Sequence, residues 1–322
     1  MHSSRTTLRL DPWPPEYDSA VQFGDIESEG SGTINADIET HDWQPIVPQS
    51  AGEYEEICFV DGVRRIEARV IADSQDKMIH GLLGSIGVGA VRVRGATASF
   101  TGITVDRFLI LGEGLLQEEQ IQVGEHTLVF DGIASAQNSP IELLGELQNL
   151  MRTREAQLGK GLSSRNVCVF ADGPLTYFAS TRDEVVGIIK TIHKPYLTTK
   201  HFSVVGRLLP GQRTPLFAIE DGKYDRYSWF LRVADGRKLD HLLAGVIRLE
   251  VRAALGLENA SRIANFSAHE LPRFVSSPAR DPRAPQNLAP VGNLETELRH
   301  RLGDSLLVRR GIEKRLLEGV QA

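Results

Sequence analysis

Two apolar runs in this sequence end in the same way, FVDG at 59–62 and FADG at 170–173. Each sets an aspartate, Asp61 or Asp172, where a buried strand reaches a turn that glycine permits. On neighbouring strands the two carboxylates would meet at one edge of a sheet. Oxygen donors that close repel one another unless a cation neutralises them, and hard oxygen ligands suit Mg²⁺ or Mn²⁺. The chemistry of such a centre is metal-assisted phosphodiester hydrolysis, in which ions activate a water and stabilise the leaving oxygen. Each Asp-Gly pair also reads as an ordinary turn; their shared context is what sets them apart.

Other residues have types that suit the same centre. Glu155 lies near the end of the helix expected before the second aspartate strand and could turn toward the same cleft, although beside Arg154 it also reads as a solvated helix residue. Lys190 and His193, three apart on an expected helix, could reach a scissile phosphate, with Lys190 as a point charge. Arg64 and Arg65 follow Asp61 and would hold phosphate oxygens. Trp229 and Tyr227 interleave with Arg226 and Arg232, a pattern that suits base stacking, while an aromatic in a strand also reads as core.

The elements that must position these residues follow from periodicity. Residues 1 to about 50 are rich in Pro, Ser, Gly, Asp and Glu and read as an extended arm, with the folded domain spanning 51–322. ICFVDGVRRIEARVI predicts a strand, a turn at Asp61-Gly62 and a second strand. Gly81 to Phe130 continues the sheet. Ser139-Pro140 opens a helix whose apolar residues recur at helical spacing as far as Leu158, with Gly159 and Gly161 as its stop. NVCVFADG is a buried strand, and a helix is expected from Arg182 to about His193. Strands around Leu216–Ile219 and Trp229–Val233 precede an expected helix at Leu239–Leu255, a proline-rich loop from Pro272 to Pro290, and a last helix from Val291 to Leu317. The order implies an α/β fold, a mixed sheet flanked by helices.

Charge and composition bound the partners. The 36 Lys plus Arg against 42 Asp plus Glu give a net charge of −6, so contact with nucleic acid must be local. Cys58 and Cys168 each sit in an apolar strand and read as small buried hydrophobes, which suits a reducing, cytoplasmic compartment. No stretch approaches the roughly 18 to 20 apolar residues that span a bilayer. The Gly-rich GLLGSIGVGA lacks the Lys-Ser/Thr of a phosphate-binding loop, so ATP hydrolysis would have to come from a partner.

With these residues in place, FVDGVRR, the helix ending RTREAQL and the strand VCVFADGPL resemble in order and spacing the NurA family of DNA-repair nucleases. VVGIIKTIHKPYL, YSWFLRV, GVIRLEV and PQNLAPVGNLETELRHRLGD resemble its later blocks in bacterial members, so the likeness covers about residues 55 to 317. The resemblance implies a ribonuclease H-like fold related to the PIWI domain, a homodimer, Mn²⁺ with Mg²⁺ as the alternative, and degradation of DNA ends alongside the hexameric HerA translocase, in end resection or phage defence. Carried over by position, it makes Asp61, Glu155 and Asp172 metal ligands and includes Lys190 in the basic segment. Archaeal members usually end with a His after a Pro-rich stretch. Here Glu295 stands at that offset and His300 about one turn beyond, so both are candidates for the last ligand. Two functions stay open: a metal-dependent DNA nuclease, or a ribonuclease H-like scaffold that binds a translocase and DNA without an effective metal centre.

Overall fold

In a computed structural model, residues 6–11, 32–48, 54–74, 77–178, 183–191 and 196–321 are described. In chain order the strands are β1 (Leu8–Leu10), β2 (Thr33–Asn35), β3 (Glu56–Ser74), β4 (Lys77–Arg94), β5 (Thr97–Leu111), β6 (Glu119–Val123) and β7 (His126–Ala134). Helix α1 (Pro140–Leu162), β8 (Val167–Asp172), β9 (Val185–Ile189), α2 (Thr199–Arg207), β10 (Phe217–Glu220), β11 (Arg226–Arg232) and β12 (Val246–Arg252) follow. Helices α3 (Leu257–Glu270), α4 (Ala289–Arg301) and α5 (Ser305–Gln321) come last, and short 3-10 turns lie at Leu175–Tyr177, Ala253–Leu255 and Leu271–Phe274.

The strands join in one mixed sheet ordered β2-β10-β11-β12-β9-β8-β3-β4-β5-β7-β6, with β1 on the far end of β3. Antiparallel β3, β4 and β5 form its centre, and beside them β8 runs parallel to β3 and β9 parallel to β8. The parallel return from β3 to β8 needs a long crossover, and α1 lies on that path. Ser139 caps α1 by accepting from the Glu142 N–H, and Pro140 opens its first turn. Leu143, Leu144, Leu147 and Met151 then bury against Leu82, Ile86, Phe108 and Ile110 of β4 and β5. Each such side chain contributes roughly 2 kcal/mol. On the other face α3 and α4 pack Ile263, Leu294 and Leu298 over Phe59, Phe170, Trp229 and Leu249. Helices therefore cover both faces of a mixed α/β sheet.

Several elements depart from the periodicity reading. No turn forms at Asp61-Gly62: β3 runs straight through, pairing with β4 from Ile57↔Val93 to Ser74↔Lys77. Gly62 serves close helix approach instead, because a Cβ there would stand 2.5 Å from Glu155 Oε1 and 2.9 Å from Met151 Cγ. The helix expected at Arg182–His193 is replaced by β9 over Val185–Ile189, whose residues are all buried. A run buried on both sides carries no alternation to separate strand from helix. The helix expected at Leu239–Leu255 gives way to β12, a central strand that buries Arg248, Glu250 and Arg252 as well as its apolar residues, and α3 follows it. The single last helix is two, parted near Gly303 at φ 82°.

Parts of the first 50 residues lie on the sheet. β1 pairs Leu8↔Ala72 with β3, β2 pairs Ile34↔Ile219 with β10, and Trp43 is buried. Strand β3 carries one bulge: Ile66 faces Gly84 and Ala68 faces Leu83, so Glu67 is an extra residue, its carboxylate buried and accepting from Ser85 Oγ at 2.7 Å. Cys58 and Cys168 are both free and buried. Among the described residues no helix is long and apolar enough to cross a membrane.

Candidate metal centre

The site is built where the first parallel strand pair ends. β3 and β8 are in register through Val60↔Ala171, and the next residue on each is an aspartate, Asp61 and Asp172. Residues at matching register share a face, so both carboxylates stand above the stacked rings of Phe59 and Phe170, whose centroids are 5.6 Å apart. Gly173, at φ 100°, turns the chain away immediately after β8. Helix α4 covers this face. Leu294 and Leu298 settle on Gly89 of β4, where a Cβ would come within 3.3 Å of each, and this docking sets Glu295 over the strand ends.

Asp61, Asp172 and Glu295 each offer a carboxylate oxygen, all within 4.8 Å of one another. Asp61 and Glu295 are buried. Burial first, then the charges of Asp172 and Glu155, push the Asp61 carboxyl well above its ordinary range, with Lys190 opposing and Glu295 adding to the rise. Three converging hard oxygen donors, one resisting ionisation for want of a counter-charge, fit a divalent cation such as Mg²⁺ or Mn²⁺.

A ring of polar contacts closes around these carboxylates. At the end of β9, Lys190 Nζ lies 2.7 Å from Asp172 Oδ1 and donates to Asn287 Oδ1 at 2.6 Å. Asn287, fully buried, donates through Nδ2 to Asp281 Oδ2 at 2.6 Å. Asp281 accepts from Arg283 at 3.1 Å, and Arg283 reaches Glu295 with Nη1 to Oε1 at 2.7 Å and Nη2 to Oε2 at 2.9 Å. Burial works against the charged form of Asp281, yet hydrogen bonds from Arg283 and Asn287 hold its pKa down to about 2. The bond to Glu295, outweighing burial, raises the Arg283 guanidinium.

The remaining predicted residues fall into different places. Glu155 is buried on α1, across Gly62 from Asp61, and stands outside the three-carboxylate group. Its Oε2 accepts from Arg152 Nη1 at 2.9 Å, and the same nitrogen donates to the Asp172 carbonyl at 2.7 Å. His300 is exposed, five residues after Glu295 on α4, which turns it by about 140° around the helix. Lys190 occupies a strand end and no helix, and His193 lies outside the described residues. Arg64 donates to Gln148 Oε1 at 2.6 Å on the α1 face, and burial together with nearby Arg152 lowers its pKa. Arg65 instead holds Glu67 and the carbonyls of Leu302 and Gly303.

Trp229 corrects the base-stacking expectation. Its side chain is fully buried under α3, with Nε1 donating to Ser267 Oγ at 3.2 Å, so neither ring face is open to a base. Arg232, expected beside it in a channel, is buried on the carbonyls of Leu208, Leu242 and Ala244. Sequence reasoning missed Asp281, Arg283 and Asn287. Their prolines marked the segment as a loop, and the only signal was an Asp, an Arg and an Asn within seven residues just ahead of a helix.

The crystal structure of the NurA nuclease from Sulfolobus solfataricus is similar at 10% identity and TM-score 0.45, over 80% of this chain and 81% of that one. A crystal structure of NurA bound to dAMP and manganese matches 40% of this chain and 21% of that one, at 13% identity and TM-score 0.20. A crystal structure of NurA with manganese matches 40% and 22%, at 15% identity and TM-score 0.17. No curated protein matches the sequence. The NurA domain family model matches residues 52–293, which is most of the chain and includes Asp61, Glu155 and Asp172, and on that match this chain belongs to the NurA domain family.

Proposed function

We propose that this chain is a divalent-metal-dependent DNA nuclease that uses Mn²⁺, with Mg²⁺ as the alternative, held by Asp61, Asp172 and Glu295. The convergence of these three carboxylates within 4.8 Å carries the reading. Glu155, whose charge bears on Asp61 from across Gly62, completes the acidic set. A bound Mn²⁺ would supply an activated water and stabilise the leaving oxygen of the phosphodiester. The chain's own residues do the rest. Lys190 fixes the Asp172 carboxylate and brings a positive charge to the scissile phosphate. Arg283 fixes Glu295, and Arg152 ties Glu155 to the end of β8. Arg64 lies on the α1 side, where a phosphate oxygen would meet a guanidinium.

The parallel pair β3–β8, with helix α1 and its buried Glu155 between the two strands in sequence, supports a ribonuclease H-like core. In this reading residues 51–322 form the nuclease domain and the first 50 an arm. The net charge of −6 and the want of a phosphate-binding loop favour dependence on a partner that supplies ATP hydrolysis. Membership of the NurA domain family is what suggests that this partner is a HerA-type translocase hexamer, and that the nuclease is a cytoplasmic homodimer acting in DNA end resection or phage defence.

Cleavage of single- and double-stranded DNA in Mn²⁺, Mg²⁺ or EDTA, with and without the translocase, tests this. Wild-type cleavage with Mn²⁺ that Asp61→Ala and Asp172→Ala abolish is the expected result, and full activity in both variants overturns it. One observation favours a second reading, a scaffold that binds partners without catalysis. Lys190 and Arg283 already neutralise Asp172 and Glu295 without a metal. A folded chain that binds no Mn²⁺ in calorimetry would select that reading.

A further inference from the structure

Alongside α4, from Ala289 to Arg299, a cleft of about 790 Å³ opens between the helix and the segment 275–283. Its lining includes Ser277, Arg280, Arg283, Asn293, Thr296 and Arg299, and it shares Arg283 and Glu295 with the metal centre. The charges in it are unevenly answered. Arg283 is matched by Asp281 and Glu295. Arg280 is exposed and makes no ion pair among the described residues, and Arg299 is 66% exposed and reaches Glu295 only at 3.5 Å. Guanidinium forks flanked by hydroxyl and amide donors are a phosphate-binding composition. The volume is that of a site for a nucleotide-sized group.

We propose that this cleft holds a phosphate of the nucleic-acid strand, next along the strand from the phosphate at the three carboxylates. The inference rests on the nuclease reading and names where the strand continues. Its ligand chemistry has two sources, an internal phosphodiester or the terminal phosphate of a strand or released nucleotide. Arg280 is the group that engages it. Arg283, committed to Glu295, aligns the cleft with the metal centre.

The test uses the full chain, in EDTA, with a short labelled single strand whose ends carry no phosphate, and with dAMP and inorganic phosphate as competitors. Fluorescence anisotropy should show Arg280→Ala weakening the strand roughly tenfold and lowering the slope of affinity against salt by about one. Arg280→Glu and Asn293→Asp should weaken it further. Asn293→Asp is a safeguard against misfolding, since an acidic residue in the first turns of a helix is favourable. Calorimetric Mn²⁺ affinity should stay within about twofold in Arg280→Ala, since among the described residues the ion pairs of Asp172 and Glu295 are made by Lys190, Arg283 and Arg299 and not by Arg280. Displacement of the strand by dAMP or phosphate, lost in Arg280→Glu, supports the cleft with a terminal phosphate as its group; no displacement assigns the internal phosphodiester. A wild type that binds and cuts DNA, with Arg280→Glu and Asn293→Asp binding equally well, overturns the cleft alone. A wild type that neither binds the strand nor cuts it with Mn²⁺ overturns the nuclease reading and the cleft with it.

Discussion

Arg283 meets both oxygens of Glu295, Nη1 to Oε1 at 2.7 Å and Nη2 to Oε2 at 2.9 Å. A guanidinium fork laid end-on takes the lone pairs on the edge between the two oxygens. A metal that chelates a carboxylate through both oxygens needs that same edge. With Arg283 in place Glu295 therefore offers a cation one oxygen. Octahedral Mg²⁺-like ions accept such a ligand, while Ca²⁺ readily takes bidentate carboxylates. Arg283→Gln should shift calorimetric affinity toward Ca²⁺ relative to Mn²⁺ by roughly fivefold, about 1 kcal/mol. An unchanged ratio refutes this account of the fork.

Asp61 gives a prediction of opposite sign to that of a carboxylate held ionised by a salt bridge. Burial and its acidic neighbours raise its folded pKa, so between the ordinary value and the raised one the folded chain binds more protons than the unfolded chain. Stability of the metal-free protein then falls as pH rises from about 4 upward. Asp61→Asn should remove cleavage, raise the melting temperature in EDTA at neutral pH and flatten that pH dependence. Calorimetric melts from acid to neutral pH measure it, and a lower melting temperature in the variant would contradict it.

Removing Lys190 leaves the Asp172 carboxylate without its closest cation and Asn287 without a donor. Lys190→Met should cost about 1–3 kcal/mol in urea unfolding, and cleavage should drop on the order of 100-fold at saturating Mn²⁺. If stability falls while turnover of the folded, metal-loaded protein is kept, Lys190 is a strut and contributes nothing to the chemistry.

Gly62→Ala tests the approach of α1 to β3. The new methyl would sit 2.5 Å from Glu155 Oε1 and 2.9 Å from Met151 Cγ, so these side chains, or the helix that carries them, must move. A loss of about 1–3 kcal/mol in chemical unfolding is expected, together with weaker Mn²⁺ binding because Glu155 is displaced. A variant as stable as wild type would mean that α1 rides less tightly on the strand than these distances require.

How far the sequence spoke depended on where each signal was local. The strand carrying Asp172 was legible because its apolar run stops at Asp-Gly-Pro, and α1 because Ser139-Pro140 and its leucine spacing are properties of neighbouring residues. The centre of the sheet was less so. In β9 every side chain is buried, and in β12 the buried Arg248 and Glu250 neutralise each other, at 2.9 Å, as a surface pattern would not. Asp61-Gly62 has the letters of a turn, but its glycine answers to a helix nearly a hundred residues away. The ring Lys190–Asn287–Asp281–Arg283 joins a strand end to a loop about a hundred residues later, and only folding brings them together.

The extra residue in β3 has a consequence for that assembly. Pairing over seventeen residues of β4 would in principle allow a strand to creep along its neighbour, and a shift by two positions would keep every side chain on its own face while carrying Asp61 out of line with Asp172. Glu67, seated on Ser85 and gripped by Arg65, interrupts the ladder at one place only. It acts as a pawl in a ratchet: sliding either way would drag a buried carboxylate off its hydroxyl. The alignment of two acids at one end of the strand is thus indexed by a notch six residues along it.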